Sequence, residues 1–130
     1  MEISGKIDYW LDIASYDFKT ARQMQKAGRY LYTIFMCQQS IEKLLKAIYL
    51  QKFQKEAPPS HNLVYLEKLV NAGITEKQQN LLAELTTFYI EGRYPTYKIK
   101  LSSLVNKGKA AKILAWSEEV FLWLKKETGL

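Results

Sequence analysis

The apolar and polar positions of this chain recur with a helical period throughout, and the pattern is densest between Tyr30 and Gln54, a run without Gly or Pro. At about 100° per residue, Ile34, Cys37, Ile41, Leu44, Leu45 and Ile48 stack into one wide apolar stripe, as a core-facing helix requires. Leu31, Phe35, Tyr49 and Phe53 form a second apolar seam on the far side. A helix apolar on two sides is surrounded by neighbours, so Gln38, Gln39, Glu42 and Lys46, which run beside these seams, are expected to be partly buried and to need partners. Glu42 and Lys46 stand i,i+4 with the acid nearer the N-terminus, the orientation that pairs along a helix.

The same reading predicts four more helices. The first runs from about Gly5 to Ala27 with Ile7, Trp10, Leu11, Ala14, Phe18 and Ala21 on one face, and Gly28 supplies its C-terminal cap. So short a link turns the central helix back antiparallel to the first. Pro58 and Pro59 break the chain. A short third helix follows with Ser60 or Asn62 as N-cap, Leu63, Leu66, Leu69 and Val70 on its apolar face, and Gly73 as its end. Thr75 to Gln78 matches a capping box for a fourth helix that carries Leu81, Leu82, Leu85, Phe88 and Tyr89 and stops near Gly92. Pro95 restrains Arg93 to Tyr97 as an ordered turn, residues 96–106 read as irregular, and a last helix from about Asn106 to Glu127 presents Ala110, Ile113, Leu114, Val120, Phe121 and Leu124. No strand and no internal repeat is predicted. The expectation is one all-α domain over residues 1–130, an up-and-down bundle of about five helices.

Composition adds a location for the charge. The net charge is +6, and between Glu91 and Glu118 there is no acidic residue but six basic ones: Arg93, Lys98, Lys100, Lys107, Lys109 and Lys112. Those six equal the whole excess. Charge so collected points to an anionic partner, a nucleotide, a nucleic-acid backbone or an acidic protein; the plainer reading is a solvated lysine-rich surface. The single cysteine, Cys37, lies on the apolar stripe and reads as a core residue in a reducing compartment. No segment has the apolar run of a signal peptide or approaches the ~18 apolar residues of a membrane span, so a cytoplasmic protein without a membrane partner is expected.

Candidate chemistry is sparse. One His and one Cys cannot supply the ligands of a zinc site, and no phosphate loop or nucleophile elbow occurs. His61, at the start of the third helix, reads either as a proton-transfer or phosphate-contacting group or as a partner of a buried carboxylate such as Glu42. Arg93, beside Tyr94, Tyr97 and Lys98, could hold a phosphate bidentately while a ring stacks on a base. It could equally bond the last carbonyls of the fourth helix and pair with Glu42.

Three motifs carry a resemblance. Gln38, Gln39, Ser40, Glu42, Lys43, Lys46 and Ala47 match the pattern QQ-(S/A)-x-EK-x-x-KA; His61-Asn62-Leu63 with Leu66 follows a Pro-rich turn; and Arg93-Tyr94-Pro95 follows the fourth helix. In this order and spacing, over roughly residues 7 to 125, the chain resembles the HEPN family, small all-helical prokaryotic domains. The resemblance implies the bundle described above and a homodimer. Many members resemble metal-independent ribonucleases that use an Arg separated by four to six residues from a His; counted from Arg93, those positions are Lys98, Ile99 and Lys100. A lysine is a poor general base at neutral pH. The chain instead resembles the branch with Arg-Tyr-Pro after the fourth helix, which implies a small nucleotidyltransferase as partner in a toxin–antitoxin-like pair.

The expectation is thus a non-catalytic module that needs no cofactor or metal and binds a nucleotide such as ATP or GTP in a cleft lined by Lys43, Lys46, His61, Arg93, Tyr94 and Lys98. One alternative is a metal-independent ribonuclease toxin using Arg93 and His61, although no motif supports an RNA partner. Another is a helical scaffold without ligand.

Overall fold

The computed structural model describes residues 2–91, 102–103 and 105–130 of the chain. Among them are five helices and no strand: α1 (Ile3–Lys26), α2 (Tyr30–Phe53), α3 (Leu63–Val70), α4 (Glu76–Glu91) and α5 (Lys107–Thr128). The all-α bundle expected from the periodicity is therefore the fold, with α2 at its centre packing on each of the other four.

Local chemistry sets the ends of the elements. At the close of α1, Gly28 takes φ 76°, so that its own amide reaches Gln25 O and the Arg29 amide reaches Met24 O. This doubly bonded left-handed cap turns the chain at once into α2. Of the two cap candidates for α3 it is Asn62 that caps, its Oδ1 accepting from the Tyr65 amide at 3.1 Å, while Ser60 Oγ accepts from the Asn62 amide. The capping box at α4 forms as its spacing predicts: Thr75 Oγ1 accepts from the Gln78 amide and Gln78 Oε1 accepts from the Thr75 amide. Asn106 Oδ1 caps α5 through the Lys109 amide at 2.9 Å.

Some boundaries differ from the sequence reading. α1 begins at Ile3, two residues early, because nothing at Gly5 stops the amphipathic pattern. α3 ends at Val70, and Asn71, at φ 50°, makes the left-handed cap that the sequence reading assigns to Gly73. Asn tolerates that conformation because its short polar side chain can bond locally. Ser102 and Ser103 are helical within the stretch expected to be irregular. The ordered turn predicted for Arg93 to Tyr97 lies outside the described residues.

Ala14, Phe18 and Ala21 of α1 and Ala110, Ile113, Val120 and Leu124 of α5 close on the α2 stripe, where Ile34, Cys37, Ile41, Leu44 and Leu45 have no exposure. Ser40 of α2 sits against α1, its hydroxyl donating to Ala14 O at 2.7 Å, which lets the two backbones approach closely. α4 is keyed to α3 by Thr86, whose Oγ1 accepts from the Leu63 amide and donates to Leu82 O. This contact holds the first turn of α3, and with it His61, beside the middle of α2.

Candidate functional site

Beside its aliphatic stripe α2 carries the buried Gln38 and the half-buried Gln39, Lys43 and Lys46, wired directly or through one another to one buried carboxylate, Glu42. Glu42 is 1 % exposed. Its Oε1 lies 2.8 Å from His61 Nδ1 and accepts from Gln38 Nε2 at 3.1 Å. Its Oε2 accepts from Lys46 Nζ at 3.0 Å, with Lys43 Nζ at 3.6 Å. Gln38 also donates to His61 O at 2.9 Å, and Gln39 donates to Gln38 Oε1 while accepting from Lys43. The i,i+4 pair read from the sequence is present, and the alternative in which His61 bonds Glu42 is the observed contact.

Burial pushes the Glu42 carboxyl up, but the bonds from His61, Lys46 and Gln38, together with the charge of Lys43, outweigh it and hold the group below its ordinary value. An ionised carboxylate only accepts, so Nδ1 of His61 must carry a proton, which in the neutral ring leaves the lone pair on Nε2. A buried carboxylate thereby fixes both the tautomer and the orientation of the imidazole. Its ring rests against Tyr89 of α4, with centroids 5.2 Å apart.

Exposure divides the cluster. The side chains of Lys43 and Lys46 are 16 % and 13 % exposed, that of His61 47 %. Lys46 is further covered by Trp10 of α1, over whose ring its ammonium lies at 5.7 Å. Asp17 of α1 is also close: its carboxyl is raised by burial, lowered by Lys43 and raised again by Glu42. Two lysines and two carboxylates balance in charge. The most exposed side chain of this cluster is that of His61.

Of the six residues expected to line a cleft, Lys43, Lys46 and His61 thus converge on Glu42, while Arg93, Tyr94 and Lys98 lie outside the described residues. Trp10, Asp17 and Tyr89 belong to this neighbourhood, although the sequence reading does not place them there. Trp10 and Asp17 are seven residues apart on the stripe that meets α2, and that spacing is the signal that could have found them. Tyr89 reads from the sequence only as part of the apolar face of α4. Two hollows, of about 320 and 510 Å³, adjoin between α4 and α5 and share Glu84 and Trp116. Among the described residues no group of His, Cys, Asp and Glu could hold a metal ion, and no helix is long and apolar enough to cross a membrane.

Known proteins bear on this arrangement. No curated protein matches the chain. A structure of TT1696 from Thermus thermophilus is similar with a TM-score of 0.80 at 18 % identity, over 94 % of this chain and 98 % of that one. A structure of ST0689, an archaeal HEPN homologue, is similar with a TM-score of 0.69 at 20 % identity, over 94 % and 97 %. At such identities the likeness speaks for the fold. The model of the HEPN domain matches residues 7–127, a span that takes in the whole α2 network, His61 and the segment of Arg93. With that match across nearly the full bundle, the chain belongs to the HEPN domain family.

Proposed function

We propose that this HEPN domain is a non-catalytic module that binds a nucleotide or another phosphate-bearing ligand at the His61 face of the Glu42 network. The observation that supports it is the imidazole itself: it is anchored through Nδ1 to a buried carboxylate while its side chain stays 47 % exposed. A ring so held loses little freedom on binding, and when protonated it donates to a phosphate oxygen from a fixed direction. The bonds of His61, Lys46 and Gln38, with the charge of Lys43, keep Glu42 ionised, so the anchor behind the ring is a charged acceptor within a charge-balanced cluster. Tyr89 offers an aromatic face beside the ring, and Arg93 follows four residues later in the sequence, with Lys98 beyond. The reading assigns these groups to the phosphate and the base of one ligand. The Arg93-Tyr94-Pro95 motif extends it to a dimer acting beside a nucleotidyltransferase in a toxin–antitoxin-like pair.

Titration calorimetry with ATP and GTP tests the reading. Millimolar or tighter binding that weakens about tenfold or more in His61→Ala and Arg93→Ala supports it. A folded wild-type protein that gives no heat with either nucleotide contradicts it.

One observation favours a second reading, a metal-independent ribonuclease. A carboxylate on Nδ1 of an exposed imidazole is the arrangement that supports proton transfer at Nε2. In that case RNA is cut in the presence of EDTA, and both Arg93→Ala and His61→Ala abolish cutting. Intact RNA after long incubation excludes it.

A further inference from the structure

Helical spacing turns one face of α4 and one face of α5 into the same hollow. On α4, Lys77, Leu81 and Glu84 recur at i, i+4 and i+7; on α5, Trp116, Glu119 and Val120 recur at i, i+3 and i+4. These six line the hollow of about 320 Å³ between the two helices, a volume within the range of small-molecule sites. Leu81 and Val120 are buried and give it an apolar inner wall, whereas Trp116 is 39 % exposed.

Several charges and rings of the bundle already have partners. Glu84 pairs with Lys109 at 2.9 Å, and Lys109 lies over the Phe88 ring at 5.6 Å. Phe18, Trp10 and Phe53 likewise each carry a cation of their own chain: Arg22, Lys46 and Lys52. Among the described residues Trp116 has no cation and no second ring against its face, and neither Lys77 nor Glu119 has an ion-pair partner, in each other or elsewhere. The hollow thus presents an uncommitted cation from α4 and an uncommitted anion from α5, together with aromatic and aliphatic surface. An anion drawn to Lys77 would face Glu119, and a cation drawn to Glu119 would face Lys77. A compact ligand that carries both signs satisfies both walls.

We propose that this hollow binds a small zwitterion with an apolar body, of the class of the apolar α-amino acids. The ligand's ammonium group lies against Glu119 and the Trp116 face, where a carboxylate and a ring quadrupole attract the same charge. Its carboxylate meets Lys77, whose long flexible stem lets the ammonium follow it. Its side chain rests on Leu81 and Val120 and is removed from water there. Lys77 and Glu119 keep contact with water, so each pairing contributes little and the dissociation constant expected is about 1–10 mM. The site shares no residue with the His61 face and does not depend on nucleotide binding there.

The test is an NMR titration of the full chain that follows the indole N–H signal of Trp116, assigned with Trp116→Phe, as leucine, leucinamide or N-acetyl-leucine is added. Leucine is expected to shift that signal to saturation; leucinamide, which lacks the carboxylate, and N-acetyl-leucine, which lacks the ammonium, are each expected to bind about threefold or more weaker. Glu119→Gln and Lys77→Gln change exposed side chains, and circular dichroism checks that both remain folded. Each is expected to weaken leucine about 3- to 10-fold. N-acetyl-leucine should bind Glu119→Gln no worse than wild type, and leucinamide should bind Lys77→Gln no worse, whereas a merely structural role would weaken all three ligands together. An indole signal that leucine leaves unmoved up to about 50 mM, a singly charged ligand as tight as leucine, or either variant as tight as wild type for leucine overturns the proposal.

Discussion

Removing Glu42 probes the network most severely. In Glu42→Ala, Lys46 and Lys43 lose their counter-charge, His61 Nδ1 loses the carboxylate that holds it, and buried Gln38 Nε2 keeps just His61 O. Removing one partner of a buried charge set costs about 3–5 kcal/mol, because the charge left behind is uncompensated. Here both lysines keep some exposure and can swing their ammonium groups toward water on long apolar stems, which lowers the expected loss to about 2–4 kcal/mol. By contrast, Glu56→Ala breaks an exposed pair with Lys6 and should cost no more than about 0.5 kcal/mol. Urea unfolding at neutral pH measures both, read as a shift in midpoint at constant slope. The loss should also depend on pH. Glu42 titrates below its ordinary 4.5 in the folded protein, so its contribution is complete above 4.5 and disappears as the pH falls through the lower, folded value. Wild type and Glu42→Ala should therefore converge in stability on acidification. A loss under about 0.5 kcal/mol at neutral pH, or a difference that stays constant from about pH 7 to pH 3, would refute the reasoning.

Other expectations rest on single contacts. Thr86→Val should destabilise by about 1–3 kcal/mol in urea unfolding because it orphans the buried Leu63 amide, and Thr86→Ser should recover most of that; equal stability of the Val variant would contradict the contact. Asn106→Ala should cost about 1 kcal/mol through loss of the α5 cap, whereas Ser60→Ala, which leaves the α3 cap on Asn62 in place, should cost less. The Cys37 thiol is fully buried, and burial pushes it up to about 12. It should react with a thiol reagent at pH 8 only as fast as the protein opens, and labelling of the native protein at the rate of a free thiol would be inconsistent with this.

The parts of the fold legible in the sequence are those where one physical cause dominates. The α2 stripe, the Thr75–Gln78 box and the Gly28 turn each rest on local spacing or backbone conformation, and each is present. Local chemistry is ambiguous where two residues compete for one role. Asn71 and Gly73 can both adopt a left-handed cap, and Ser60 and Asn62 can both accept an amide, so packing decides between them. The site is legible in its residues and not in its direction. That Gln38, Gln39, Glu42 and Lys46 need partners follows from an apolar surface on two sides of one helix. That they find those partners in one another and in His61 depends on where α3 enters, which Thr86 and the Pro58-Pro59 break determine over long range. Trp10 and Asp17 do not stand out in the sequence because they sit on a stripe otherwise explained by packing against α2.

The chain contains one histidine, which makes its ring nitrogens directly observable by NMR. Long-range nitrogen–proton spectra of the free protein should show Nδ1 protonated and bonded, with Nε2 as the unprotonated nitrogen of the neutral ring. Adding ATP should move the Nε2 resonance strongly and leave Nδ1 on Glu42. A His61 spectrum that saturating nucleotide leaves unchanged, or a free protein with the proton on Nε2, would contradict an exposed imidazole held by Glu42 for an anionic ligand.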